Sequence, residues 1–144
     1  MSLQIDADVP NCSECGAFSY DGLTCPERLH RILALEKTYP ELQALHFLTV
    51  AVYNIQHPAQ FMPEAIEGLR RFFAEYLDKQ ITIDEIKRRN REFNGEKSVL
   101  KPFSERHTVL RIWQMTTADV YLPIQAQGTA ERVRKWAESV KSEL

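Results

Sequence analysis

Apolar residues recur at helical spacing along most of the chain, and prolines mark where several of the stretches begin or end. Thr24 with Glu27 reads as a capping box, and Pro26 suits a first turn, so a helix is predicted from Cys25. Leu29, Ile32, Leu33 and Glu36 share one of its faces, and Tyr39-Pro40 ends it. A second helix is predicted from Pro40 to about His57, stopped by Pro58. Leu42, Leu45, Phe47, Leu48, Val50, Ala51, Val52 and Ile55 wrap almost all its sides, which marks a central core helix. His46, Val50, Tyr53 and His57 form one stripe on it.

Pro63 opens a third helix, to about Lys79, with Ile66, Leu69, Phe73, Tyr76 and Leu77 inward. Thr82 to Glu85 is a second capping box. The short helix behind it has a narrow seam of Ile83, Ile86, Asn90 and Phe93, and Asn94-Gly95 closes it. Residues 95–106 read as a polar loop. Thr108, Val109, Ile112, Thr116, Thr117 and Val120 are β-branched, so 107–122 is predicted to be extended. A last helix from about Thr129 to Glu143 presents Val133, Trp136, Ala137 and Val140.

The first 25 residues break this pattern. They have no periodic apolar face, four acids (Asp6, Asp8, Glu14, Asp21), no Lys or Arg, and all three cysteines. Such a segment cannot order itself by burial. The 144-residue length fits one domain over 1–144, and 44% hydrophobic content with ordinary Gly and Pro excludes fibrous and wholly disordered chains. A net charge of −2 argues against nucleic acid or an anionic membrane as the main partner. No apolar run approaches the roughly 20 residues of a membrane helix. Without an export signal at Met1 to Asp6, and with an odd number of cysteines, a cytoplasmic protein without disulfides is expected.

Cys12-Ser13-Glu14-Cys15-Gly16 is the strongest chemical signal. Two thiolates two residues apart can chelate one tetrahedral ion from a tight turn. Gly16 admits the positive φ that would let backbone N–H groups point at the sulfurs. Cys25 adds a third sulfur at a helix start, where the dipole favours a thiolate. A redox Cys-x-x-Cys sits between a strand and a helix, and neither is predicted here. Three soft ligands in a core-poor segment point to Zn²⁺, with binding supplying the ordering free energy.

The fourth ligand is sought among the histidines. A short loop near Thr38–Pro40 makes the first two helices antiparallel neighbours, so Cys25 at the start of one approaches His57 at the end of the other. His57 is therefore preferred. His30, five residues after Cys25, is next. His46 lies roughly 16 Å from His57 along the axis at about 1.5 Å per residue, and ranks last. The expected architecture is mainly α: a zinc knuckle plus helical hairpin over 12–58, with the remaining helices over 59–144.

With Thr24-Cys25-Pro26-Glu27-Arg28-Leu29-His30 and the run His46 to Pro58, the Cys-x-x-Cys-Gly element resembles an uncharacterised bacterial family, a domain of unknown function. Its Tyr-x-x-Gln-His-Pro element is similar to Tyr53–Pro58. Its tail resembles Thr116 to Val120 followed by Val133-x-x-Trp136-Ala137. Members carry a His in the helix after Gln-His-Pro, and this chain has none between 58 and 106. The resemblance implies the same site map and no particular reaction.

Two other functions compete with a structural zinc in a module that binds a protein or small molecule. If no His closes the site, three sulfurs and a water make an open Lewis-acid centre. His30, His46, Tyr53 or Glu36 would then move protons in a metal-dependent enzyme. A basic cluster over 86–101 has six Lys and Arg (Lys87, Arg88, Arg89, Arg91, Lys97, Lys101) against Glu92 and Glu96, and offers a weaker nucleic-acid reading. A solvated helix face explains it more simply.

Overall fold

The boundaries of the helices follow the local signals closely. The computed structural model describes residues 9–79, 81–94 and 99–144. It contains α1 (Cys25–Leu35), α2 (Pro40–Gln43), α3 (His46–Gln56), α4 (Pro63–Lys79), α5 (Ile83–Asn94), α6 (Thr117–Val120) and α7 (Thr129–Ser142). Among the described residues there is no strand, only an isolated antiparallel bridge between Phe61 and Leu100. The fold is mainly helical, as expected.

Thr24 caps α1 reciprocally: its hydroxyl accepts from the Glu27 N–H, and the Glu27 carboxylate accepts from the Thr24 N–H. Thr82 accepts from the Glu85 N–H at the start of α5. Ile86 of the predicted α5 seam is buried. Gly95 and the side chains of Ile83, Asn90 and Phe93 lie outside what is described.

The core is built around α3, which packs against α4 and α7, while α1 packs on α6. Phe73 from α4, Trp136, Val133 and Val140 from α7, and Val52 and Ile55 from α3 are wholly or almost wholly buried. Burying an indole requires a partner for its N–H. Trp136 Nε1 donates to Gln56 Oε1 (3.2 Å), and Gln56 Nε2 donates to the Met115 carbonyl (2.7 Å). One buried amide thus joins α3, α7 and the chain before α6.

Two expectations need correction. The helix predicted over 40–57 is broken after Gln43. Leu45 leaves helical geometry (φ −100°, ψ 13°), and its N–H bonds to Leu42 O at the tighter three-residue spacing. The break lets fully buried Leu42 pack towards α7 while α3 takes another course through the core. No Pro or Gly announces it. The region predicted as extended over 107–122 is irregular to residue 116 and then forms α6. Thr116 and Asp119 cap α6 reciprocally, so local capping overrides the β-branched composition. No described helix is long and apolar enough to cross a membrane.

Candidate metal centre

The knuckle is a tight turn. The Gly16 N–H bonds to Cys12 O (3.0 Å) and the Cys12 N–H to Ala17 O (3.0 Å). Gly16 has φ 78°, as its position predicts, and a Cβ there would also come within 2.5 Å of Ile112 Cδ1. The Gly16 N–H thus closes the turn instead of facing a sulfur. Further anchors come from distant parts of the chain. Glu14 O accepts from the Arg111 N–H (2.9 Å), Glu14 Oε2 from the Ala59 N–H (3.1 Å), and the Tyr20 hydroxyl donates to Ala118 O (2.9 Å).

This frame brings together Cys12, Cys15, Cys25 and His57, whose sulfurs and ring nitrogen all lie within 4.8 Å of one another. Cys15, Cys25 and His57 are buried and Cys12 is half-buried. Cys12 Sγ is 3.6 Å from His57 Nε2, and Cys15 Sγ is 3.6 Å from Cys25 Sγ. Those separations far exceed a disulfide bond of about 2.05 Å. They match the edge of a tetrahedron drawn around a metal at about 2.3 Å from each sulfur, which is roughly 3.8 Å. The four residues could hold one metal ion.

His57 is presented in the correct tautomer. Its Nδ1 lies 2.7 Å from the Tyr53 carbonyl, which can only accept, so Nδ1 carries hydrogen and Nε2 faces the sulfurs. The Tyr53 ring stacks on the imidazole with centroids 4.2 Å apart. Neither of the other two candidate histidines reaches the cluster. His30 is exposed, and His46 is exposed and pairs with Glu36 at 3.0 Å. Of the groups weighed for proton transfer, only Tyr53 lies beside the sulfurs, on a cavity of about 270 Å³ that also touches Cys12, Cys25 and His57.

Protons are shared unequally among these groups in the absence of a metal. Hydrogen bonds from Cys15 and Cys25 hold the Cys12 thiol far below its ordinary value, against the effect of burial and with help from His57. The Cys15 thiol is pushed far up by Cys12 and Cys25, with burial adding to the effect. Burial opposes a charge on His57, yet its bonds to Cys12 and Cys25 raise it to about 10. Hydrogen bonding within the cluster thus pushes the Cys12 and Cys15 thiols in opposite directions and favours the charged form of His57.

Sequence reasoning missed the two groups that hold Cys25. The Thr117 hydroxyl donates to Cys25 Sγ (3.2 Å), and Arg28 Nη1 lies 3.8 Å from the same sulfur. Arg28 is completely buried. It forks onto Asp21 through Nε (2.9 Å) and Nη2 (2.8 Å), and also donates to Phe18 O and Thr117 Oγ1. Burial works against its charge, and Asp21 more than restores it. Signals existed for both. Arg28 is one helical turn after Cys25, on the same face, and Thr116 to Asp119 is an N-terminal capping sequence.

These elements, from the knuckle to the last helix, place the chain among known sequences. It belongs to a family of unknown function, DUF5946, whose profile matches residues 10–144. The cysteine elements that suggested the family fit the cluster found here. No curated protein and no solved structure matches the chain. Membership in DUF5946 therefore brings no reaction with it, and function has to be argued from the site.

Proposed function

We propose that Cys12, Cys15, Cys25 and His57 bind a single Zn²⁺ as a closed structural centre. It clamps the amino-terminal loop to the helices, and the protein acts as a binding module and not as an enzyme. The observation that carries this reading is the convergence of three sulfurs and one imidazole nitrogen within 4.8 Å of one another, two of the separations being 3.6 Å, with Nδ1 already committed to a carbonyl. Sulfur-rich sets favour Zn²⁺ over the hard cations, and four protein donors leave no position for water. Cysteines kept reduced by a metal suit a reducing compartment such as the cytoplasm.

The cavity at Cys12, Tyr53 and His57 favours a second reading, in which His57 swings away and a metal-bound water faces that cavity. Metal analysis of the purified protein with X-ray absorption at the zinc edge separates the two. One zinc per chain with three sulfurs and one nitrogen supports the closed centre. Three sulfurs with a water oxygen, or no metal at all, refutes it. The basic helix gives the nucleic-acid reading little support, because Arg89 is paired with Glu75 and Glu85, and Arg88 with Glu85.

Acidity gives a further expectation. Zinc requires a neutral imidazole and a Cys15 thiolate, but without metal both groups hold their protons well above neutral pH. Binding must therefore expel those protons, and apparent zinc affinity rises with pH. A competition titration against a chromophoric chelator across pH 6 to pH 8 (roughly the range in which free His and Cys titrate) checks the slope. A pH-independent affinity would contradict the assignment.

A further inference from the structure

The three sulfurs of the cluster differ in how they are shielded and in how they are held. Cys15 is wholly buried. Cys25 opens α1, is 3% exposed, and its sulfur accepts from the Thr117 hydroxyl (3.2 Å) with Arg28 Nη1 at 3.8 Å. Cys12 is the half-buried one. It borders the cavity of about 270 Å³, along a lining made polar by Asn11, Ser13, Ser19 and Thr24. Cys25 borders that cavity too, but with two donors already on its sulfur. A small polar oxidant arriving through the cavity meets Cys12 as the most open of the three thiolates.

The chain also decides which sulfur Cys12 would join. Cys12 and Cys15 sit in one loop, where the Gly16 N–H closes a turn onto Cys12 O (3.0 Å). A disulfide bond is about 2.05 Å long, so sulfurs that now lie within 4.8 Å of one another must draw together to form it. Between Cys12 and Cys15 that movement is confined to the loop. A bond from Cys12 to Cys25 would instead pull the first residue of α1 off the Thr117 hydroxyl. A thiolate that accepts hydrogen bonds is also less basic and so a weaker nucleophile, which disfavours Cys25 as the attacking sulfur.

We propose that the knuckle is a peroxide-sensitive release for its metal, in which hydrogen peroxide oxidises Cys12 and a Cys12–Cys15 disulfide expels the ion. This inference rests on the closed zinc centre proposed above. The Cys12 thiolate attacks one peroxide oxygen, so that an S–O bond forms, the O–O bond breaks and hydroxide departs. The Cys15 thiolate then attacks the Cys12 sulfenic sulfur, forming the S–S bond and displacing a second hydroxide. Two electrons pass from the two sulfurs to the peroxide, and with two protons from solvent the products are two waters and the disulfide. A disulfide offers no thiolate to a metal, which leaves Cys25 and His57 alone, too few donors to retain zinc.

The test treats the zinc-loaded protein with hydrogen peroxide in the presence of a chromophoric zinc indicator, after metal content has been measured. The expected result is one zinc released for every two thiols lost, and a chain lighter by two hydrogens. Peptide mapping without reduction should place the linkage between Cys12 and Cys15, with Cys25 still open to alkylation. The melting temperature should fall to that of chelator-treated protein, and dithiothreitol with added zinc should restore it. Zinc and thiols that withstand peroxide overturn the inference. So does a linkage to Cys25 or between chains, or a loss of thiols that dithiothreitol cannot reverse. Protein that holds no zinc before peroxide is added fails the closed-centre reading and this inference together, whereas loaded protein that resists peroxide fails the inference alone.

Discussion

Removing the proposed zinc with a chelator is expected to lower the melting temperature of the protein by about 10 °C. A ligand that binds only the folded state, at a free concentration of about a thousand times its Kd, contributes about 4 kcal/mol. For a chain of this size each kcal/mol moves the midpoint by roughly 3 °C. Cys15→Ser provides the matching genetic experiment. Cys15 is fully buried and supplies one corner of the proposed tetrahedron, so its loss leaves three donors and a hydroxyl with poor affinity for zinc. The variant is expected to melt near the chelator-treated parent and to be insensitive to chelator itself. The transition should remain cooperative, because Trp136, Phe73, Val133 and Val52 stand on α3, α4 and α7, and α3 packs directly on the other two. A parent protein whose melting ignores chelators would refute a structural metal.

The second large effect is expected at the buried ion pair. Asp21→Ala leaves the Arg28 guanidinium without its counter-charge, and stranding a buried charge costs about 3–5 kcal/mol. Arg28→Met removes the charge along with the side chain, so the expected cost is smaller, about 2–3 kcal/mol from lost hydrogen bonds to Asp21 and Phe18 O. Chemical denaturation of the two variants measures both costs. The ranking is the informative part. If Arg28→Met proved the more damaging, the guanidinium would be acting mainly through packing. Both changes should also speed zinc release, because Arg28 and Thr117 jointly hold Cys25.

The legible parts of this fold were those set by short-range chemistry. Proline at 40 and 63 and the capping boxes at Thr24 and Thr82 announced helix starts within a residue. His57 could be preferred over His30 and His46 because a short connection places the start of one helix beside the end of the next. The hidden parts depended on distant partners. Nothing near Leu45 signals a break, since its cause is the separate seating of Leu42 and α3. An arginine at position 28 reads as solvated surface until Asp21, Phe18 and Thr117 are known to surround it. The segment before α6 was misread because side-chain branching was weighed above the Thr116–Asp119 cap. Likewise the pairing of Arg89 with Glu75 joins the basic run to a residue ten or more positions earlier, which spacing alone does not reveal.

Several of the bonds that fasten the knuckle come from residues far later in the chain: Arg111 holds Glu14, Ala118 holds Tyr20, and Thr117 holds Cys25. Ribosomes deliver the three thiols first and these fasteners last, so most of the polypeptide is synthesised before the loop can settle. For that interval the nascent cysteines are open to oxidants and to whichever soft ion arrives. Under the proposed zinc reading, the metal site is completed late, once the carboxy-terminal third is in place.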